Sequence, residues 1–118
     1  MTLAAASSRT SDRQASDRSP ERYGAAVPER LQLLFYDYVE DIVERRAPHR
    51  DAHLAHIARW KDDGRVVIAG AVGDPPHGGV LALRVDGPEA VEEFVTADPY
   101  SQAGLVKEWR VEPWNVVT

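Results

Sequence analysis

The histidines of this 118-residue chain are its main candidates for chemistry, because the sequence contains no cysteine. That absence excludes disulfides, thiolate nucleophiles and cysteine-ligated metal sites. Three of the four histidines, His49, His53 and His56, follow one another at intervals of four and three residues. Imidazole is the side chain that most readily gains or loses a proton near neutral pH. The cluster therefore predicts acid–base chemistry or metal binding.

Metal binding needs more ligands than this cluster offers. His49 and His53 are spaced i, i+4, so on a helix they share a face and can chelate one metal ion. No His-Glu-x-x-His motif is present, however, and a third ligand has to come from elsewhere in the chain. We therefore expect no metal and no cofactor, and a metal site on this pair is the alternative.

A helical wheel for residues 47–63 separates an apolar side from a polar side. The stripe predicted to face the core consists of Leu54, Ile57, Ala58 and the stem of Lys61, with Arg50 on the same line. His49 and His56 are predicted to be partly exposed on the adjoining flank. His53 lies at the border between the two sides, so we expect it to line a cleft.

Asp98 stands between the second predicted helix and Pro99. An aspartate directly before a proline-led helical turn is a typical N-cap, and this structural role is our first interpretation. A second role is compatible with it, because a carboxylate beside an imidazole fixes the tautomer and stabilises the imidazolium. Spacing along the chain does not show that Asp98 reaches His53. A ferredoxin-like topology permits the contact, since both segments then lie in the helical layer.

The apolar pattern from residue 28 onward predicts the element order β-α-β-β-α-β, an α+β fold with an antiparallel, ferredoxin-like sheet. We expect strands at residues 31–38, 65–72, 80–85 and 106–111, and main helices at residues 47–63 and 88–97. Proline opens each helix, and Gly64 and Pro99 end them. The longest apolar runs span only a few residues, so the sequence predicts no membrane helix, which needs about 20.

Residues 1–27 are predicted to be a disordered tail, and residues 28–118 one small domain. Up to Arg22 the chain is rich in small and polar residues, and Leu3 is its only large aliphatic residue after Met1, so it buries too little apolar surface to fold. It lacks the apolar stretch of a secretory signal and contains acids that transit peptides avoid. We expect a cytoplasmic protein, and the net charge of −5 argues against nucleic-acid binding.

Two of the predicted strands are apolar on both faces. In the first, Leu33 and Phe35 alternate with an equally apolar set that includes Tyr36, and the strand at residues 80–85 follows a similar pattern. A sheet that is covered on one face only alternates apolar with polar side chains. We therefore expect a homodimer in which the two sheets pack face to face.

Two motifs resemble the hallmarks of the YciI-like (YCII-related) family. The first helix carries Arg50-Asp51-Ala52-His53-Leu54, which is similar to the family's Arg-x-x-His-Leu. Ala97-Asp98-Pro99-Tyr100 follows the second helix and is similar to the family's Ala-Asp-Pro-Tyr/Phe. The resemblance extends to the closing Trp-Arg-Val-Glu-Pro-Trp at residues 109–114 and covers residues 31–118.

The resemblance implies a dimeric α+β barrel of ferredoxin-like protomers, with His53 and Asp98 forming the dyad of an active site. We expect Arg50, Gly70 and Tyr100 to bind the substrate around this dyad, Arg50 through its positive charge. One departure is Ala69-Gly70-Ala71, where many relatives have Ala-Gly-Pro. Relatives of this architecture include muconolactone-isomerase-like enzymes and proteins linked to the breakdown of hydroxylated or chlorinated aromatics.

Two functions from different classes remain. In the first, the protein is a small cofactor-free enzyme in which His53 is the general acid–base and Asp98 orients it. The reaction is then an isomerisation, an elimination or a related proton transfer on a small anionic or aromatic molecule. In the second, the protein is a non-catalytic dimeric module that binds a small ligand or a partner protein. A buried His53–Asp98 contact of about 2.6–3.2 Å favours the enzyme, and an open or absent pair favours the module.

Overall fold

The computed structural model describes residues 29–118, so the tail predicted over residues 1–27 lies outside the described residues. Arg30–Trp114 form one compact unit, and the remaining described residues belong to a second. The described elements, in chain order, are β1 (Glu29–Tyr38), α1 (Ile42–Arg45), α2 (Ala47–Asp62), β2 (Val66–Val72), β3 (Gly78–Leu83), α3 (Pro88–Ala97), α4 (Pro99–Gln102) and β4 (Val106–Val116). They confirm an α+β fold. None of the described helices is both long enough and apolar enough to span a membrane.

The four strands form one antiparallel sheet in the order β2-β3-β1-β4. Strand β3 pairs with β1 on one side and with β2 on the other, so that Val80 lies opposite both Phe35 and Gly70. A register shift between Val66 and Ile68 interrupts the pairing of β2 with β3. Gly70 therefore belongs to an edge strand of the sheet.

The predicted elements agree with the structure to within two residues, except for β4. Strand β4 continues to Val116 instead of ending at residue 111. It tolerates Pro113 because an edge strand has backbone donors that need no partner strand. Strand β3 begins at Gly78, inside the predicted loop. A Cβ atom on the next residue, Gly79, would lie 2.8 Å from the hydroxyl oxygen of Tyr38, so a larger residue there would have to displace this tyrosine.

The core lies between one face of the sheet and the helices that pack on it. Leu34 and Leu83 from the sheet and Phe94 from α3 are fully buried there. The buried side of α3 consists of Val91, Phe94 and Val95, as predicted. Burial of these aliphatic and aromatic side chains is the main contribution to stability, at about 1.5–3 kcal/mol for each large one.

The core side of α2 differs from the prediction. Its buried residues are His53, His56 and Trp60. The predicted core stripe is exposed at Leu54, Ala58 and Lys61 and only half-buried at Ile57. The predicted stripe is therefore wrong, and so is the predicted exposure of His56. The core side of a helical wheel is assigned from the hydropathy of its side chains. Histidine is polar, but it can be buried at little cost when its ring nitrogens find hydrogen-bond partners.

Candidate active site

His53 and Asp98 meet in the interior of the protein, which confirms the predicted contact. The Nδ1 atom of His53 lies 2.8 Å from the Oδ1 atom of Asp98. Asp98 is fully buried, and His53 is 6% exposed. Helix α2 supplies His53 from its buried side, and the break between α3 and α4 supplies Asp98. The two residues are 45 positions apart in the chain, so the fold brings them together.

The carboxylate of Asp98 accepts hydrogen bonds from three directions. Its Oδ1 atom accepts a hydrogen bond from the backbone N–H of Tyr100 at 3.0 Å, and this bond caps α4 as predicted. The same Oδ1 atom also faces Nδ1 of His53. Its Oδ2 atom accepts the hydroxyl of Tyr36 at 2.7 Å. This surrounding suits an ionised carboxylate, which only accepts. His53 therefore donates through Nδ1–H, and the tautomer leaves Nε2 as the nitrogen available to a ligand.

Tyr36 is a site residue that the sequence did not single out. The strand alternation predicts only that Tyr36 shares a face of β1 with Leu34 and Tyr38. The sequence therefore contained one signal for Tyr36, namely its position on the face of β1 against which the helices pack. Burial, followed by the negative charge of Asp98, raises the pKa of the Tyr36 phenol well above its usual range. Tyr36 therefore keeps its proton and remains a donor to Asp98.

The ring of Tyr100 fixes the plane of the imidazole. The two rings are stacked with their centroids 3.6 Å apart and only 2° between their planes. Tyr38 meets Tyr100 in an edge-to-face arrangement, with the ring centroids 5.8 Å apart. Burial raises the pKa of both of these phenols. His53 is therefore held by a hydrogen bond at its edge and by an aromatic ring against its face, and both restrict its rotation.

A cavity of about 270 Å³ opens beside His53. Its size is close to the lower end of small-molecule sites. All three predicted substrate-binding residues line it, namely Arg50, Gly70 and Tyr100. The rest of its lining is Tyr38, Arg46, His53, Leu54, Ile57, Ala69, Ala71 and Leu81. Tyr38 and Arg46 are cavity residues that the sequence reasoning missed.

The wall opposite α2 is made by the small residues of β2. Ala69, Gly70 and Ala71 line the cavity together, so the departure from Ala-Gly-Pro leaves the wall continuous. A Cβ atom built on Gly70 would have no neighbour within 4 Å. This segment also borders an apolar depression lined by Val80, Trp114 and other apolar residues of the sheet. One short stretch of β2 therefore borders both the cavity and an exposed apolar surface.

The other two histidines of α2 have different environments. The Nε2 atom of His56 donates to the backbone oxygen of Phe94 at 2.9 Å, and the two rings pack 4.5 Å apart. His56 thus links α2 to α3 inside the core. His49 is partly exposed, as predicted. Within residues 29–118, no three histidine or acidic side chains are grouped so that they can hold a metal ion.

Curated proteins and a solved structure are similar to this chain. It is 30% identical over 96 residues to Protein YciI of Escherichia coli O6:H1 (strain CFT073), covering 74% of this chain and 98% of that protein. Protein YciI of Shigella flexneri gives the same figures. The solved structure is 5-chloro-2-hydroxyhydroquinone dehydrochlorinase (TftG) from Burkholderia phenoliruptrix AC1100, in complex with 2,5-dihydroxybenzoquinone. It aligns with a TM-score of 0.63 and 25% identity over 72% of this chain and 93% of that chain.

The match to the family itself covers most of the described residues. The YCII-related domain matches residues 31–115, a range that includes both His53 and Asp98. The sequence motifs at these two residues resemble the same family, as noted above. The chain therefore belongs to the YCII-related domain family.

Proposed function

We propose that the protein is a small cofactor-free enzyme in which His53 moves a proton and Asp98 orients it. The observation that carries this proposal is the buried 2.8 Å contact between His53 and Asp98 at the edge of a ligand-sized cavity. A histidine fixed through Nδ1 presents Nε2 as a general base or acid, which contributes about 10²–10⁴-fold to a rate. Arg50 and Tyr100 hold the substrate, and Gly70 leaves room for it.

The proposed substrate class is a small hydroxylated aromatic molecule. Aromatic and aliphatic side chains dominate the cavity lining, which suits a single ring. The similar solved structure is named as a dehydrochlorinase of a chlorinated hydroxyhydroquinone, and its bound ligand is a dihydroxybenzoquinone. Both observations support an elimination or a related proton transfer on such a ring as the reaction of this chain.

The proposed elimination needs one acid–base group. Nε2 of His53 removes the proton of a ring hydroxyl, and the oxygen of that hydroxyl becomes a carbonyl. The ring carbon that carries chlorine then takes the proton from the imidazolium. The imidazole is then neutral again, and its Nε2 atom takes the proton of the hydroxyl para to the first, whose oxygen electron pair forms the second carbonyl. The ring double bond shifts, and the carbon–chlorine bond breaks with both electrons leaving on chloride. The net change is loss of HCl from a hydroquinone to give a quinone, so the step consumes no oxidant.

Turnover of 5-chloro-2-hydroxyhydroquinone under anaerobic conditions tests this function. We expect wild-type protein to release chloride and quinone faster than buffer alone, and His53→Gln to remove most of that acceleration. His49→Gln is the matched control, because it changes a partly exposed histidine on the same helix. No acceleration of chloride release from chlorinated hydroquinones would contradict the proposed elimination. Binding without turnover would favour the non-catalytic ligand-binding module instead.

The proposal includes a homodimer of ferredoxin-like protomers. The strand order supports the ferredoxin-like assignment, and the face of the sheet away from the helices supports the dimer. The cross-strand rows on that face are Leu33–Ala82–Ile68 and Phe35–Val80–Gly70. None of these side chains is charged, and Ile68 is 66% exposed in the single chain. A second copy of the chain that covers this face removes that apolar surface from water.

Sedimentation of variants tests the dimer. We expect wild-type protein to sediment as a dimer that buries more than about 1,000 Å² in total. Ile68→Glu places a charge on the apolar face and is expected to give monomers. Val43→Glu is the control, because Val43 is also exposed, at 44%, but lies on α1 instead of on the sheet. A wild-type monomer at micromolar concentration would contradict the proposal. The domain boundaries at residues 28–118 and the cytoplasmic location remain parts of the same proposal.

A further inference from the structure

We propose that the substrate carries a carboxylate and that Arg46 and Arg50 bind it at one end of the cavity. This inference rests on the proposed function for the reacting end, where His53 acts. It goes further because it assigns a role to Arg46 and narrows the substrate class to hydroxylated aromatic acids.

The cavity-lining residues of α2 fall on one side of the helix. They are Arg46, Arg50, His53, Leu54 and Ile57, with intervals of four, three, one and three residues. Arg46 has right-handed helical backbone angles although it is the N-cap, so it continues the same spiral. Residues at i and i+4 of a helix have their Cβ atoms about 5–6 Å apart. The two arginine side chains therefore line the cavity from neighbouring positions on the helix.

Neither arginine has an ionic partner within residues 29–118. The adjacent Arg45 does have one, since it lies 3.5 Å from Asp41. The first turn of α2 contains no acidic residue, although the helix macrodipole favours acids at that end and disfavours cations. Two unpaired cations at a helix N-terminus therefore oppose stability. A bound anion would remove this opposition by neutralising both charges.

The charge of Arg46 also acts on the tyrosines around the dyad. Burial raises the pKa of Tyr38 and Tyr100, and Arg46 opposes that rise at both phenols. The guanidinium therefore lies near the same side chains that surround His53. A carboxylate fits this place better than a single phenolate oxygen, because its two oxygens match the planar donor fork of arginine.

The opposite end of the cavity is apolar and suits the ring of the same ligand. Leu54 and Ile57 line it from α2, and Leu81 lines it from β3. His53 lies between the two ends, one helical turn beyond Arg50, which corresponds to a rise of about 4.5 Å. A ring whose carboxylate contacts the arginines therefore passes His53 before it reaches the apolar wall. The anion would position the ring hydroxyl groups for proton transfer.

Two probes of nearly equal shape test the inference, namely 2,5-dihydroxybenzoate and its uncharged analogue 2,5-dihydroxybenzamide. Their Kd values are measured calorimetrically at low salt with the full chain. We expect the wild-type protein to prefer the carboxylate by about tenfold or more, a typical effect of hydrogen bonds to a charged group. Arg46→Gln and Arg50→Gln are each expected to lower this preference markedly. Arg45→Gln is the matched control, and we expect its preference for the carboxylate probe to equal that of the wild-type protein.

The outcomes separate this inference from the proposed reaction. Equal binding of the two probes by wild-type protein, or a preference that survives in both Arg46→Gln and Arg50→Gln, overturns the carboxylate site. Arg46→Lys and Arg50→Lys keep the charge without the planar fork, so an intermediate preference in them supports it. His53-dependent turnover of hydroquinones without any carboxylate preference overturns this inference alone. A carboxylate preference without His53-dependent turnover supports this site and overturns the proposed reaction.

Discussion

The surroundings of His53 and of His56 differ although the two residues lie one turn apart on α2. They are 6% and 3% exposed, so both are buried to a similar degree. His53 donates to a carboxylate and lines the cavity, whereas His56 donates to the backbone oxygen of Phe94 and packs among aromatic rings. A backbone carbonyl carries no net charge with which to stabilise an imidazolium. The charge of the acceptor and contact with the cavity therefore distinguish the two histidines, and burial does not.

The largest expected effect separates these two histidines directly. Glutamine keeps a donor for either acceptor, so His53→Gln and His56→Gln change the chemistry more than the packing. We expect His53→Gln to lower kcat by about 10²–10⁴-fold and His56→Gln to leave kcat close to the wild-type value. Steady-state kinetics with thermal unfolding of both variants measures the difference. Similar losses of kcat in variants that remain folded would remove the distinction.

Asp98→Asn changes the acceptor of His53 without changing its shape. An amide oxygen in the place of Oδ1 still accepts from Tyr100 and from His53, but the amide carries no charge with which to stabilise the imidazolium that forms during proton transfer. We expect kcat to fall by about 10²-fold or more, while Asn still caps α4. Asp98→Ala also removes the cap and is expected to cost about 1 kcal/mol more in unfolding free energy. A normal kcat in Asp98→Asn would leave Asp98 as a helix cap only.

Tyr36→Phe removes the donor to Oδ2 of Asp98 and leaves the contact with His53 in place. Hydrogen bonds to charged groups contribute about 1.5–3 kcal/mol. We therefore expect the substitution to lower the free energy of unfolding and to leave the dyad less firmly oriented. We expect a loss of about tenfold in kcat with little change in KM. Tyr38→Phe is the comparison, because Tyr38 lines the cavity and its change is expected to appear in KM. A change in KM alone for Tyr36→Phe would show that it does not act through Asp98.

The smallest expected effect is a loss of stability at alkaline pH. Burial raises the pKa of Tyr36 and Tyr38, whereas the unfolded phenols ionise near pH 10. The unfolded chain therefore releases protons first, and the free energy of unfolding falls as pH rises above about 10. Urea unfolding between pH 8 and pH 11 measures this slope, which Tyr36→Phe is expected to make shallower. Ionisation of both phenols near pH 10 in the folded protein would contradict it.

The sequence predicted the α+β fold because the helices and strands depend on strong local signals. Proline marks the start of α3, and the Asp98-Pro99 step marks its end. The dyad was implied by the resemblance of two short motifs to the YCII-related family, one on the first main helix and one directly after the second. The end of β4 was missed because Pro113 usually ends a strand, and its tolerance there depends on the position of β4 at the sheet edge.

The prediction for the face of α2 failed for a different reason. Leu54 was assigned to the core and His56 to the surface, and the structure reverses both. A cavity needs apolar walls, so an apolar side chain can face it instead of the core. The role of Tyr36 was equally hidden, because its hydroxyl meets a carboxylate 62 residues away in the sequence. No local pattern records which buried polar groups will find each other across the fold.

The Oδ1 atom of Asp98 has two roles, and this limits how the residue can change in evolution. One oxygen atom both starts helix α4 and faces the imidazole. A longer glutamate cannot cap the turn in the same way, and a neutral replacement loses the charge beside His53. Selection on folding and selection on chemistry therefore act on the same atom, and few substitutions can satisfy both. Divergence toward new substrates is then easier at the apolar end of the cavity, where Leu54 and Ile57 neither cap a helix nor hydrogen-bond to the dyad.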